Sequence, residues 1–120
     1  MYRFPLDLDL SRLVGRFTTQ FCVGAFDLQF SLGDFRFIVQ GGLDLYRDGI
    51  VVATYRADAW PSHEFYSLLN TEVLSAFFPD DKTLVISFTN GLEARLFDTS
   101  DQYESCQILV GKNNPTVYIV

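Results

Sequence analysis

Two runs of alternating residues joined by an Asn-Gly pair leave this chain little conformational freedom between residues 82 and 97. Leu84, Ile86 and Phe88 alternate with Thr83, Val85, Ser87 and Thr89, while Leu92, Ala94 and Leu96 alternate with Glu93 and Arg95. A period of two on both sides of Asn90-Gly91 is the strongest short-range signal of a β-hairpin. Loop length then fixes the register. A two-residue loop sets Phe88 opposite Glu93, whereas a three-residue loop, Thr89-Asn90-Gly91, pairs Phe88 with Leu92, Ile86 with Ala94 and Leu84 with Leu96. A slip of one residue turns every side chain to the other face, so the apolar set selects the longer loop. That loop ends on a left-handed residue, a conformation Gly91 adopts without steric cost.

The same plan is legible earlier in the chain. Leu28, Phe30 and Leu32 face Val39, Phe37 and Phe35 across a two-residue turn at Gly33-Asp34. Leu10, Leu13, Val14 and Gly15 recur fifty-five positions later as Phe65, Leu68, Leu69 and Asn70. Apolar residues at i, i+3 and i+4 followed by a left-handed cap predict one short helix in each half, with Asp7 and Ser62 as N-caps. Strands follow each helix, at Phe17 to Val23 and at Val73 to Pro79. A third hairpin turns at Asp48-Gly49; Tyr46 and Val51 fit either face, which leaves its register open. Tyr103 to Val110 and Thr116 to Val120 complete the set. The expectation is a mainly β (α+β) domain of curled antiparallel sheets, formed from two pseudo-repeated helix–strand–hairpin halves, about 7–55 and 62–120, with two short helices.

With 120 residues, 48% of them apolar, the chain is one domain able to bury a core without disulfides. Cys22 and Cys106 belong to no Cys-x-x-Cys and read as two buried free thiols. No apolar run is long enough to span a bilayer, and the first ten residues lack a signal-peptide pattern, so a cytoplasmic location is expected. A net charge of −6 argues against nucleic acid as a partner and for a basic partner, or for solubility alone. Thr116–Val120, an exposed last strand, leaves dimerisation through a sheet edge open.

Chemistry has little to build on. His63 is the only histidine, and any triad, Cys-His dyad or multi-histidine metal site has to pass through it. In Ser62-His63-Glu64, at the predicted helix start, it reads as a solvated first-turn residue. The glycines are dispersed, without a phosphate-cradling motif. No catalytic residue, metal ligand or cofactor is assigned, and the chain is read as a non-enzyme. Most of the twelve Phe fall on inward positions and read as core. Trp60, in a connection before Pro61, is either a lid over that core or an exposed anchor for a partner.

One pattern reaches beyond composition. Leu84 to Phe88 followed by Thr89, Asn90 and Gly91, then Asp101-Gln102-Tyr103-Glu104-Ser105, resembles a motif of small bacterial β-rich proteins: Phe-x-(Asp/Asn)-Gly, a strand, an acidic corner and Tyr-Glu-(Ser/Ala)-Trp. The resemblance covers roughly residues 13–110 and departs at Cys106, where the motif has Trp. Such proteins are similar to immunity proteins of polymorphic and contact-dependent growth-inhibition toxin systems. The resemblance implies a protein that binds a cognate toxin, a basic nuclease domain, and occludes its active site. Clustered carboxylates would steer a basic partner, and on that ground the candidate partner-binding residues are Asp98, Asp101, Tyr103 and Glu104, with Asp80 and Asp81 at the adjacent strand end and Trp60 as a candidate anchor. The alternatives are a phage-type nuclease inhibitor that mimics DNA and a small-ligand-binding β domain using the aromatic interior.

Overall fold

A computed structural model describes residues 3–56, 60–98 and 105–120. Ten strands occur among the described residues: β1 (Thr18–Val23), β2 (Leu28–Leu32), β3 (Phe35–Val39), β4 (Gly42–Arg47), β5 (Ile50–Arg56), β6 (Val73–Asp80), β7 (Thr83–Phe88), β8 (Leu92–Phe97), β9 (Cys106–Val110) and β10 (Thr116–Ile119). They form two five-stranded sheets, ordered β1-β2-β3-β9-β10 and β5-β4-β8-β7-β6, and every strand pair is antiparallel. One buried cluster draws on both sheets. It holds Phe30, Phe35, Phe37 and Ile108 from the first, and Leu43, Tyr55, Ile86 and Leu96 from the second.

The hairpin registers follow the apolar pattern. Leu84 pairs Leu96 and Ile86 pairs Ala94, with Gly91 at φ 89° closing the loop. In the first sheet Leu28, Phe30 and Leu32 pair Val39, Phe37 and Phe35, and Gly33 takes φ 63° in the turn. The β4–β5 hairpin explains its own ambiguity. Leu45 pairs Ala53 but Tyr46 pairs Val51, so Val52 is an extra residue in a β-bulge. A bulge changes the parity of a strand partway along, and no strict alternation survives it.

Two expectations are corrected here. The helices are 3-10 turns, Ser11–Leu13 and His63–Leu68. Leu10, Leu13, Phe65 and Leu68 are buried while Val14 and Leu69 stay 53% and 40% exposed. Each turn ends before the i+4 position: Val14 and Leu69 are C-caps in extended backbone, with ψ 129° and 138°, and point away from the core. Neither turn is capped by the expected side chain. Asp7 is not at the cap, Ser62 occupies the N-cap position without a side-chain cap bond, and Asp9 instead accepts from the Ser11 amide at 3.0 Å. Nor are both thiols buried: Cys106 is buried between Val39 and the end of β10, but Cys22 is exposed. A bulge between Thr18 and Gln20 shifts the parity of β1, so Phe21 takes the inward position that unbroken alternation gives to Cys22.

The two sheets are joined where the 3-10 turns run into β1 and β6. The Gly15 amide donates to the Val73 carbonyl at 2.9 Å, and the Asn70 amide donates to the Thr18 carbonyl at 2.8 Å. The Val73 amide donates to Arg16 at 2.8 Å, and the Thr18 amide donates to Thr71 at 3.0 Å. A shift of 55 converts each bond into its companion, and the isolated bridge Phe17–Glu72 joins residues that same distance apart. Gly15 and Asn70 both have positive φ, 83° and 57°. The bulges Thr18/Gln20 in β1 and Val73/Ser75 in β6 are likewise 55 apart.

Candidate partner-binding groove

Between the N-terminal arm and the edge strand β6 lies an open groove of about 480 Å³, lined by Leu6, Leu8, Leu10, Val14, Ala76 and Phe77 among others. Its local sequence explains both its floor and its rim. Leu6, Leu8 and Leu10 alternate with Asp7 and Asp9 in a short arm that turns at residues 5–8, where the Leu8 amide donates to the Pro5 carbonyl at 2.9 Å; the three leucines line the groove, and Asp7 and Asp9 are exposed. The arm is pinned at its start by the Phe4 amide, which donates to the Asp81 carbonyl at 2.8 Å, and by the Phe4–Phe78 ring contact at 5.6 Å. The first 3-10 turn then packs on β6.

Why the groove is empty follows from comparing it with the other half of the chain. There the second 3-10 turn packs on β1, and Phe21 fills the contact, 6.3 Å from the Phe65 ring and 5.5 Å from Tyr66 in an edge-on arrangement. A shift of 55 carries Phe21 to Ala76, Tyr66 to Ser11 and Phe65 to Leu10. These three positions carry a methyl, a hydroxymethyl and an isobutyl group, and all three line the groove. Phe77, also in the lining, is 50% exposed.

Acidic residues adjoin the lining in sequence, Asp7 and Asp9 between its leucines and Asp80 and Asp81 just after Phe78. Asp7, Asp9, Asp80 and Asp81 are all exposed, and among the described residues none of the four is in an ion pair. Asp80 Oδ1 accepts from the Lys82 amide at 2.9 Å, which shapes the β6–β7 turn. Asp9 is held below the ordinary carboxylate value, first by the Ser11 hydroxyl, at 2.6 Å, and then by the Ser11 amide. A lowered folded pKa stabilises the fold at pH above the ordinary value and loses that contribution as pH falls through the lowered one. Ser11→Ala removes the stronger of the two bonds and leaves the amide. The Asp9 pKa is therefore expected to rise part of the way back in a carboxyl-carbon NMR titration; an unchanged value would show that the hydroxyl does not hold the charge.

The other expected interface residues are scattered. Asp101, Tyr103 and Glu104 lie outside the described residues. Asp98 is not a surface group: its side chain has no exposed area and accepts from Arg3 at 2.6 Å and from the Ser105 hydroxyl at 3.0 Å. Trp60 is 71% exposed, so it is not a lid over the core. His63 is exposed too, 3.6 Å from Glu64. Sequence reasoning missed the leucines of the arm and Ala76. The Leu-Asp alternation from 6 to 10 reads as a strand, whereas the chain turns at residues 6–8. β6 itself is a poor template for strand addition, because irregularities at Val73/Ser75 and Phe77/Asp80 break its free edge.

No protein-family model matches the chain, and no curated protein or solved structure resembles it closely enough to count as a relative.

Proposed function

We propose that this chain acts by docking a basic protein in the groove between its N-terminal arm and β6, as an immunity protein does when it neutralises a nuclease toxin in the cytoplasm. The observation that carries the reading is one apolar trough, left unfilled where the other half places stacked rings, with Asp7, Asp9, Asp80 and Asp81 flanking it. The trough accepts a large apolar side chain, and desolvated anchors of that kind dominate binding energy. The carboxylates steer and orient a partner rich in Lys and Arg, raising its association rate more than its lifetime. Occlusion of a nuclease fits the same charge, since a surface built to hold phosphates attracts carboxylates. We also infer that the two halves are copies of one unit. The second sheet repeats the strand order of the first with five added to each number, counted cyclically, and the joining bonds repeat at 55.

Two variants test the docking reading on different physics. Ala76→Phe restores in β6 the ring present in β1 and fills the trough from within. It is expected to weaken the complex about a hundredfold or more, the scale of losing a buried anchor, while thermal unfolding stays near that of the parent. Neutralising Asp7, Asp80 and Asp81 to Asn is expected to slow association and flatten its salt dependence. The readouts are affinity for a basic nuclease domain encoded beside this chain and rescue of cells expressing that domain. Retention of the same toxin with unchanged affinity by both variants would place the interface elsewhere, and failure to rescue with the parent chain would reject the immunity role.

A further inference from the structure

The cations of this acidic chain are unevenly distributed. Arg12, Arg16, Arg36 and Lys112 gather around the β2–β3 turn and the β9–β10 turn, four of nine Lys and Arg in the sequence. Two clefts open there. One, of about 250 Å³, is lined by Ser31, Arg36, Leu109 and Pro115 among others. Its neighbour, of about 470 Å³, is lined by Arg16 and Thr19, and both share Gly33, Asp34 and Lys112 as a common wall.

The one carboxylate in that wall is already neutralised. Arg12 pairs with Asp34 at 2.5 Å, and the Arg12 guanidinium lies 5.6 Å from the Phe35 ring centre. Arg16, Arg36 and Lys112 make no ion pair among the described residues. Arg16 is nevertheless held. A Cβ at position 33 would come within 3.0 Å of the Arg16 side chain, so Gly33 lets the arginine stem lie flat across the turn. Its Nε donates to the Arg12 carbonyl at 3.4 Å, a long bond that still fixes the direction of the fork. The β9–β10 turn that carries Lys112 is tied to the same place by the Gly111 amide, which donates to the Asp34 carbonyl at 2.9 Å. Three surplus positive charges on braced backbone, opening on two joined clefts with a threonine hydroxyl and a serine, match an anion with more than one charged group.

We infer that this corner binds a diphosphate, one phosphoryl group in each cleft, with Lys112 between them and Arg16 and Arg36 on either side. Leu109 and Pro115 form an apolar wall beside the smaller cleft, room for a group attached to the diphosphate. The site is separate from the groove, and its test requires no protein partner. The probes are inorganic pyrophosphate, orthophosphate and ADP, titrated into the whole chain at physiological salt and followed by amide NMR shifts and calorimetry. Pyrophosphate is expected to shift amides at 33–36 and 111–113 and to bind about tenfold or more tightly than orthophosphate, because each added charge-assisted contact contributes on that scale. Tighter binding of ADP than of pyrophosphate would identify a nucleotide as the source of the diphosphate, and equal binding the free anion. Arg16→Gln combined with Lys112→Gln should weaken pyrophosphate about a hundredfold, and Arg95→Gln, a cation of the other sheet, should leave it unchanged. The inference fails if pyrophosphate moves no amide in these two turns, or if the double variant binds as well as the parent.

Discussion

Phe37→Ala is expected to cost this domain about 3–5 kcal/mol of unfolding free energy, the range for deleting a fully buried ring. Phe37 has no exposed surface. Its ring stacks on Phe30 at 5.0 Å and lies 6.3 Å from Phe35, and its backbone sits between Phe30 of β2 and Ile108 of β9. It therefore joins the strands of the first hairpin to one contributed by the second half of the chain. Truncation to a methyl removes apolar burial and opens a cavity that two flanking rings, already held by their own strands, only partly fill. In a chain of 120 residues that loss lowers the melting temperature by about 12–20 °C. The comparison is Phe77→Ala on the groove rim, where half the side chain is already in water and the cost should stay near or below about 1 kcal/mol. Chemical denaturation of both variants decides the matter: a Phe37 variant within about 1 kcal/mol of the parent would mean that the core does not depend on this stack.

The residues that make this core are those whose position is legible from alternation alone. Leu84, Ile86, Leu96 and their counterparts in the first hairpin obey a period of two between turns of fixed length, so burial on one face selects one register. Legibility stops where a single residue is inserted. Val52 breaks the third hairpin, and the bulge after Thr18 exchanges the roles of Phe21 and Cys22; both look like ordinary alternating positions in the sequence. The 3-10 turns were hidden for a different reason. A buried pair at i and i+3 is common to one turn of either helix type, and only the exposure of Val14 and Leu69 separates them. The groove was the least legible feature, because it exists through what is absent: Ala76 and Ser11 are informative only beside Phe21 and Tyr66, in a contact that the fold creates. Long-range pairing is equally silent in the sequence. Nothing near Asp98 announces an arginine ninety-five residues away.

That pairing sets the second large effect, and it changes what a charge reversal at this position would measure. Asp98 follows the last residue of β8, and its amide donates to the Lys82 carbonyl at 2.9 Å. Its two carboxylate oxygens reach in opposite directions, Oδ2 to Arg3 of the N-terminal arm and Oδ1 to the hydroxyl of Ser105 ahead of β9. One side chain thus ties together the arm that frames the groove, the end of one sheet and the entry to a strand of the other. Arg3 keeps 29% of its side chain exposed while the Asp98 side chain is fully enclosed. Loss of the carboxylate leaves a guanidinium that can still turn to water, so Asp98→Ala should fall below the cost of splitting a fully buried pair, at about 2–3 kcal/mol. Asp98→Lys should cost more, since it drives a second cation toward Arg3 in a space without solvent. Affinity for the proposed partner, measured below the melting temperature, should drop in these variants only as far as the arm loosens. An interface role predicts the reverse, an intact melting temperature with lost binding. Unfolding curves and affinities measured on the same Asp98→Ala preparation separate the two, and a variant as stable as the parent but unable to bind would return Asp98 to the partner surface.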